Sequence, residues 1–297
     1  MVQELSPPVD VLDPNCPVVP IVVSSPHSGR IYPPCLLERL ALHPAQLRVL
    51  EDGCVDRLFA DAPALGVPLV RARFARAYVD ANREPYELDP DLLDGPLAVQ
   101  ANFGSAKARA GLGSIPSRVG GLSIYQGRLS AAQIEQRIRV AYRPYHAALQ
   151  ALRTRALVQF GTVLLLDCHS MPGSMARVGN GHRDRVVDVS LGDRYGRACA
   201  QPIVDRIATF LSARGLVVAR NRPYAGGHIT SRYGSPTSAA SALQIEIRRG
   251  LYMDEATFRP HAGLTPLRAL IRDLLADLVE LVVDPWPRRS APRRLAT

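Results

Sequence analysis

The chain has 297 residues, 47% hydrophobic and 21% charged, a composition that excludes disordered and fibrous classes and fits a folded enzyme-sized domain. No run of about 18 apolar residues occurs, so a membrane-spanning helix is not expected. The first residues carry Glu4 and Asp10 and lack the basic start and apolar stretch of a secretory signal, so a cytoplasmic location is expected.

Five cysteines with no CxxC pair argue against a disulfide framework and against a cysteine-only zinc site. The formal charge of +9 raises nucleic acid as a partner. However, Lys107 is the only lysine, and the remaining basic residues are all arginine. Arginine's planar fork suits carboxylates. An anionic small-molecule substrate therefore fits better, and neither a nucleic acid nor a membrane is expected as partner.

Val18 to Ser24 is a β-branched run that predicts a buried strand ending at the turn-rich Ser25-Pro26-His27-Ser28-Gly29. Leu47 to Ala62 has helical spacing and carries Glu51, Asp52 and Asp56. Pro68 to Arg71 and Ala77 to Asp80 predict short strands, the second running into Asn82-Arg83. Glu84 to Val119, rich in Gly, Pro and Asp, predicts a long irregular excursion of the kind that is often functional. Ser130 to Leu157 predicts a helix capped by Ser130, with a kink or break at Pro144. Thr162 to Leu166 is the cleanest buried strand and ends at Asp167-Cys168-His169-Ser170.

Farther along, Val186 to Leu191, Leu216 to Ala219 and Ala242 to Ile247 predict strands. Arg197 to Arg214, stopped by Gly215, and Leu264 to Val282 predict helices. From Pro285 to Thr297 the Pro and Arg content predicts a disordered basic tail behind one domain spanning residues 1–284. Strands alternating with helices predict a single α/β domain with a mixed, mostly parallel sheet flanked by helices.

Two histidines, His27 and His169, follow predicted strands directly, where active-site loops of open α/β sheets lie. Each alone reads as a structural residue; the shared placement favours a metal pair with a carboxylate as third ligand. Asp167 shares a strand face with His169 and could orient it, or cap the loop. Glu246 lies between Ile245 and Ile247, an expensive place for a carboxylate unless it is functional or bridged to Arg248 or another arginine. Asn221 to His228 is a Gly-rich loop unlike any nucleotide-binding pattern. No GxSxG is present, and Cys168 points to the face opposite His169.

Taken together, PHSG at His27, EDxxVD at Glu51 to Asp56, VDANR ending at Arg83, LLLDCHSMP at Leu164 to Pro172, LGDRYG at Leu191 to Gly196, NRPYAGGHIT at Asn221 to Thr230 and LQIEIRRGLYMDE at Leu243 to Glu255 resemble the N-formylglutamate amidohydrolase family. The motifs occur in family order over about residues 18 to 280. The resemblance implies a phosphorylase/hydrolase-like α/β fold, distantly similar to zinc carboxypeptidases. It implies hydrolysis of the N-acyl amide, formyl foremost, of an acidic amino acid such as glutamate.

Carboxypeptidases draw a His and a Glu ligand from one HxxE, whereas Arg30 stands three residues after His27. The resemblance therefore implies zinc held by His27, His169 and Asp52, with Glu51 and Asp56 as the alternative acids. It further implies a water acidified towards a pKa of ~7 by the metal, Glu246 as general base and acid, and Arg76 for the developing oxyanion. Asn82 and Arg83 would hold the α-carboxylate, and Arg222 or Arg232 a side-chain carboxylate, beside Gly227 and His228. A broader N-acyl amino-acid deacylase, a carboxypeptidase-like hydrolase and a non-catalytic binding protein are the competing readings.

Overall fold

The computed structural model describes residues 5–14, 18–178 and 185–283; the tail expected from Pro285 onward lies outside them, as does Cys16. The strands of the main sheet are β1 (Val9–Leu12), β2 (Ile21–Ser25), β3 (Leu69–Ala72), β4 (Val163–Met171), β5 (Val189–Gly192), β6 (Val218–Arg220) and β7 (Ala240–Arg248). They pair in the order β1-β3-β2-β4-β7-β5-β6. β3, β2, β4 and β7 run parallel; β1 pairs antiparallel with β3, and β5 antiparallel with β7. Among the described residues, no helix is long and apolar enough to cross a membrane.

Both faces of the sheet are covered, which explains why its central strands are apolar on both sides. On one face Val163, Leu165, Ala240 and Ala242 pack against α1 (Ala131–Arg137) and α2 (Arg143–Phe160) through Ile134, Tyr145 and Leu149. On the other, Leu164, Leu166, Leu243 and Ile245 meet α3 (Gln201–Ser212) and α4 (Leu264–Val283) through Ile207, Leu211, Ile271 and Leu274. Each fully buried large side chain contributes about 1.5–3 kcal/mol. Cys168 lies in this second core, on the face away from His169, as the strand alternation predicts.

Ser130 caps α1 with a reciprocal capping box, its Oγ accepting from the Gln133 amide at 3.3 Å. The expected break at Pro144 is a π-helical turn, Ile138–Tyr142, after which Pro144 sits in the first turn of α2, where its missing N–H costs least.

Two expected elements are different. The helix over Leu47–Ala62 is broken: a 3-10 turn ends at Leu50, Glu51 is extended, Cys54 is left-handed at φ 63°, and only Val55–Leu58 resumes a helical turn. The break lets the Asp52 amide bond the His27 carbonyl at 2.9 Å, drawing an acid to the end of β2. Ala77–Asp80 is not a strand. Its apolar side chains are buried, but the carbonyls of Ala77 and Tyr78, and of Ala81 and Arg83 just beyond, bond side chains instead of a neighbouring strand. Tyr125 Oη donates to Ala77 O (3.3 Å), Arg137 Nη1 to Tyr78 O (3.2 Å) and Tyr142 Oη to Arg83 O (2.8 Å), while His146 Nε2 meets Ala81 O at 2.9 Å. Burial without strand pairing therefore mimicked a strand in the sequence.

Candidate active site

Parallel strands deliver their C-terminal ends to one edge, and the chemistry collects there. Pairing places Gln244 beside Asp167 and Glu246 beside His169, all on one face of the sheet. The turn after β2 brings His27 alongside. Its Gly29 is required because a Cβ would lie 2.1 Å from the Phe74 carbonyl oxygen.

His27 Nδ1 lies 3.1 Å and His169 Nδ1 2.9 Å from the same atom, Asp52 Oδ2, and all three residues are buried. The far nitrogens are also committed: His27 Nε2 is 2.7 Å from Asp80 Oδ1, and His169 Nε2 is 3.0 Å from Asp167 Oδ2. If each ring donates its Nε2–H to its carboxylate, both Nδ1 lone pairs face a carboxylate oxygen. In that tautomer, three acceptors converge on one point and can share a cation between them. The donor set fits a divalent metal: two imidazoles and one carboxylate with ligand atoms within 4.8 Å of one another. The carboxylates behind the rings are the partners that orient metal-binding histidines.

Asp52 is fixed on its other oxygen, Oδ1, by Ser170 Oγ (3.1 Å) and Arg249 Nη2 (3.3 Å). Burial alone would raise its pKa; without a metal, imidazoles donating to it through Nδ1 outweigh burial and hold it well below the usual carboxylate range. Asp80 is likewise buried yet held low, by Arg76, His27 and Arg83. Its two oxygens are filled by the Asn82 amide (2.8 Å) and Arg76 Nε (2.8 Å) besides His27. Of the alternative acids, Glu51 accepts from Tyr32 Oη (2.5 Å) and Asp56 pairs with Arg71 (3.5 Å). Among the described residues, Asp52 is the acid that joins both histidines.

Glu246 is buried and, among the described residues, has no arginine ion-pair partner: Arg248 bonds Asp188 at 2.6 Å instead. Gln244 Nε2 donates to Glu246 Oε1 at 2.7 Å. Burial pushes the Glu246 pKa up to about 7, with His169 opposing and Asp52 reinforcing the rise. A carboxyl group poised near neutrality can accept and return a proton.

Asn82 is committed to the scaffold. Its Nδ2 donates to Asp167 Oδ2 (3.2 Å) beside His169, and its Oδ1 accepts from the Ile229 amide (2.8 Å). Gly227 has no room for a Cβ, which would meet the Asn82 side chain at 2.5 Å. Arg83 is tethered through Leu112 O and Asn82 O, both 2.9 Å. A cleft of about 480 Å³ opens beyond Asn82 and Gly227, and Arg83, His228 and Arg232 line it. Arg222 is exposed, is not among the residues lining the cleft, and contributes its carbonyl to Ser190 Oγ (2.9 Å). The expectation that Arg222 faces the site is therefore not met.

Sequence reasoning missed Asp80, Gln244, Arg249, Lys107 and Arg194. Asp80 and Gln244 stand between apolar neighbours inside VDANR and LQIEIRRG, which was the available signal; Arg249 and Arg194, in LQIEIRRG and LGDRYG, have polar neighbours and offered only their place in a motif. Lys107 stands outside every motif, and its singular identity was its only mark.

The model of the N-formylglutamate amidohydrolase family matches residues 19–253. N-formylglutamate deformylase from Pseudomonas aeruginosa is 31% identical over 267 residues, covering 88% of this chain and 93% of the relative. The enzyme of the same name from Pseudomonas putida is 28% identical over 274 residues, covering 91% and 96%. The crystal structure of N-formylglutamate amidohydrolase from Ralstonia eutropha JMP134 matches with a TM-score of 0.88 at 37% identity, over 93% of this chain and 98% of that one. By these matches, extending over nearly the whole fold, the chain is an amidohydrolase and belongs to the N-formylglutamate amidohydrolase family.

Proposed function

We propose that this chain hydrolyses the N-formyl amide of an acidic amino acid, N-formyl-L-glutamate above all, to formate and the free amino acid, with zinc as its metal. The observation that carries the reading is the convergence of His27 Nδ1, His169 Nδ1 and Asp52 Oδ2 beside a buried Glu246. The names of the relatives, N-formylglutamate deformylase, support the substrate.

His27, Asp52 and His169 would hold the metal, a ligand set suited to zinc. When bound, such a cation polarises the amide carbonyl and acidifies water. Glu246 takes the proton from the attacking water as the C–O bond forms, then gives it to the departing amine nitrogen as the C–N bond breaks. Arg76, within electrostatic reach of Asp52 and Glu246, faces charge developing on the carbonyl oxygen. Asp80 and Asp167 keep the imidazoles in the ligating tautomer. Arg83, held by Leu112 O and Asn82 O, turns the remaining hydrogens of its terminal nitrogens to the α-carboxylate from the cleft wall.

The test is amine release from matched N-formyl, N-acetyl and dipeptide derivatives of glutamate. The formyl compound should lead by kcat/KM. Preference for the dipeptide would reassign the enzyme to a carboxypeptidase-like class.

A further inference from the structure

The cleft beyond Asn82 carries more positive charge than one α-carboxylate requires. Four cations, Arg83, Lys107, Arg194 and Arg232, line it against two acids, Glu84 and Glu87. The acids have partners of their own: Asn102 Nδ2 donates to Glu84 at 3.0 Å, and Ser105 Oγ donates to Glu87. Arg83 is tied to backbone carbonyls, and Arg232 is exposed with its guanidinium over the Tyr233 ring. Arg194, half-buried, and Lys107 have no ion-pair or hydrogen-bond partner for their side chains among the described residues.

The backbone goes to some length to aim Arg194. Arg194, Tyr195 and Gly196 are all left-handed, with φ 55°, 57° and 81°. Two successive non-glycine residues in that region are strained and persist only where the surroundings enforce them. Here Asn221 does so. Its Oδ1 accepts from the Asp193 amide (3.2 Å) and the Tyr195 amide (3.3 Å), and its Nδ2 donates to Asp193 Oδ1 (2.7 Å). The Arg194 amide then bonds Ala225 O at 2.7 Å. Gly226 at φ 118° completes the lock, since a Cβ there would lie 2.9 Å from Arg194 Cγ.

Resting on the proposed N-formyl hydrolase reading, we infer that Arg194, with Lys107, is the specificity determinant for a second carboxylate, on the substrate side chain. The site thereby selects N-acyl dicarboxylic amino acids over neutral ones. Arg194 supplies a planar fork and Lys107 a point charge, a pairing that a carboxylate satisfies and a carboxamide does not. A site built to pair a charge rejects the uncharged isostere because its own groups are left unpaired.

The experiment measures the ratio of kcat/KM for N-formylglutamate to that for N-formylglutamine, in the parent protein and in Arg194→Met, Lys107→Met and Arg222→Met. Arg194→Met should lower the ratio roughly ten- to a hundred-fold, the effect of one lost charge-assisted bond. Lys107→Met, on a one-turn helix at the surface, should lower it in the same direction and serves if Arg194→Met does not fold. Arg222→Met should leave it unchanged. If the parent turns over N-formylglutamate and the ratio is unmoved by the Arg194 and Lys107 changes, the assignment falls while the proposed function stands. If the parent releases no formate from either compound, both fall.

Discussion

Glu246 and His169 are directly paired neighbours on adjacent parallel strands, β7 and β4, with side chains on one face of the sheet. A rigid sheet thus fixes the distance between the proposed base and a proposed metal ligand, which is more reliable than placing either on a loop. The adjacent pair Gln244 and Asp167 repeats the arrangement one step deeper. There Gln244 secures one Glu246 oxygen and Asp167 secures His169.

The first prediction concerns that base. Glu246→Gln keeps the shape but cannot accept a proton. Turnover should fall roughly 10²–10⁴-fold while bound metal stays stoichiometric. Normal turnover per folded molecule would return Glu246 to a structural role.

The Glu246 carboxyl also shapes stability. Unfolded, it ionises near its ordinary 4.5; folded, burial pushes it up to about 7. Between these values the folded state holds a proton that the unfolded state has lost, so stability falls as pH rises. The contribution is fully present below about pH 4.5 and gone above about pH 7, on the order of a few kcal/mol. In metal-stripped protein, the urea midpoint should drop between pH 5 and pH 8, and Glu246→Gln should drop less. Equal drops would mean that another group controls this window.

Asp80 stands behind His27 as a charged orienting partner, 2.7 Å from Nε2. Asp80→Asn should weaken metal affinity about 10–100-fold. It should also destabilise the protein by roughly 3–5 kcal/mol, since Arg76 loses its buried partner. Competition with a chelator measures the first effect; an unaltered metal Kd would show that the ring needs no help from Asp80.

Arg83→Lys keeps the charge and loses the fork. We expect kcat/KM for N-formylglutamate to drop about ten- to a hundred-fold, and no such drop for its α-amide. Equal losses on both would make Arg83 a support for the Asn82 segment, to whose carbonyl it is bonded.

The sheet was legible because its central strands are apolar, β-branched runs; β2 and β7 fell near their apolar runs, whereas β4 continues through the polar Asp167–Ser170 to Met171, five residues beyond its expected end. His27 was legible as a polar residue just after an apolar strand, and His169 and Glu246 as polar residues in otherwise apolar surroundings, although both lie within their strands. The Asp52 segment was not. Helical spacing in Leu47–Ala62 reflects packing of Leu47, Val55 and Leu58 on two sides of a break that only the His27 carbonyl makes intelligible. The segment of Asp80 and Asn82 was misread because its carbonyls are satisfied by Tyr125, Arg137, Tyr142 and His146, from distant positions that local pattern cannot reveal. Arg194 and Lys107 are far apart in sequence, and only the fold sets both on the lining of one cleft.

The central claim is that His27, Asp52 and His169 bind the catalytic metal, and elemental analysis coupled to formate release tests it most directly. Protein purified without added metal should carry one zinc per chain. Chelation should abolish formate release from N-formylglutamate, and stoichiometric zinc should restore it. The metal should also bind less tightly at low pH, where protons compete for the same imidazoles. Full turnover by exhaustively chelated protein, with metal far below one per chain, would contradict the account.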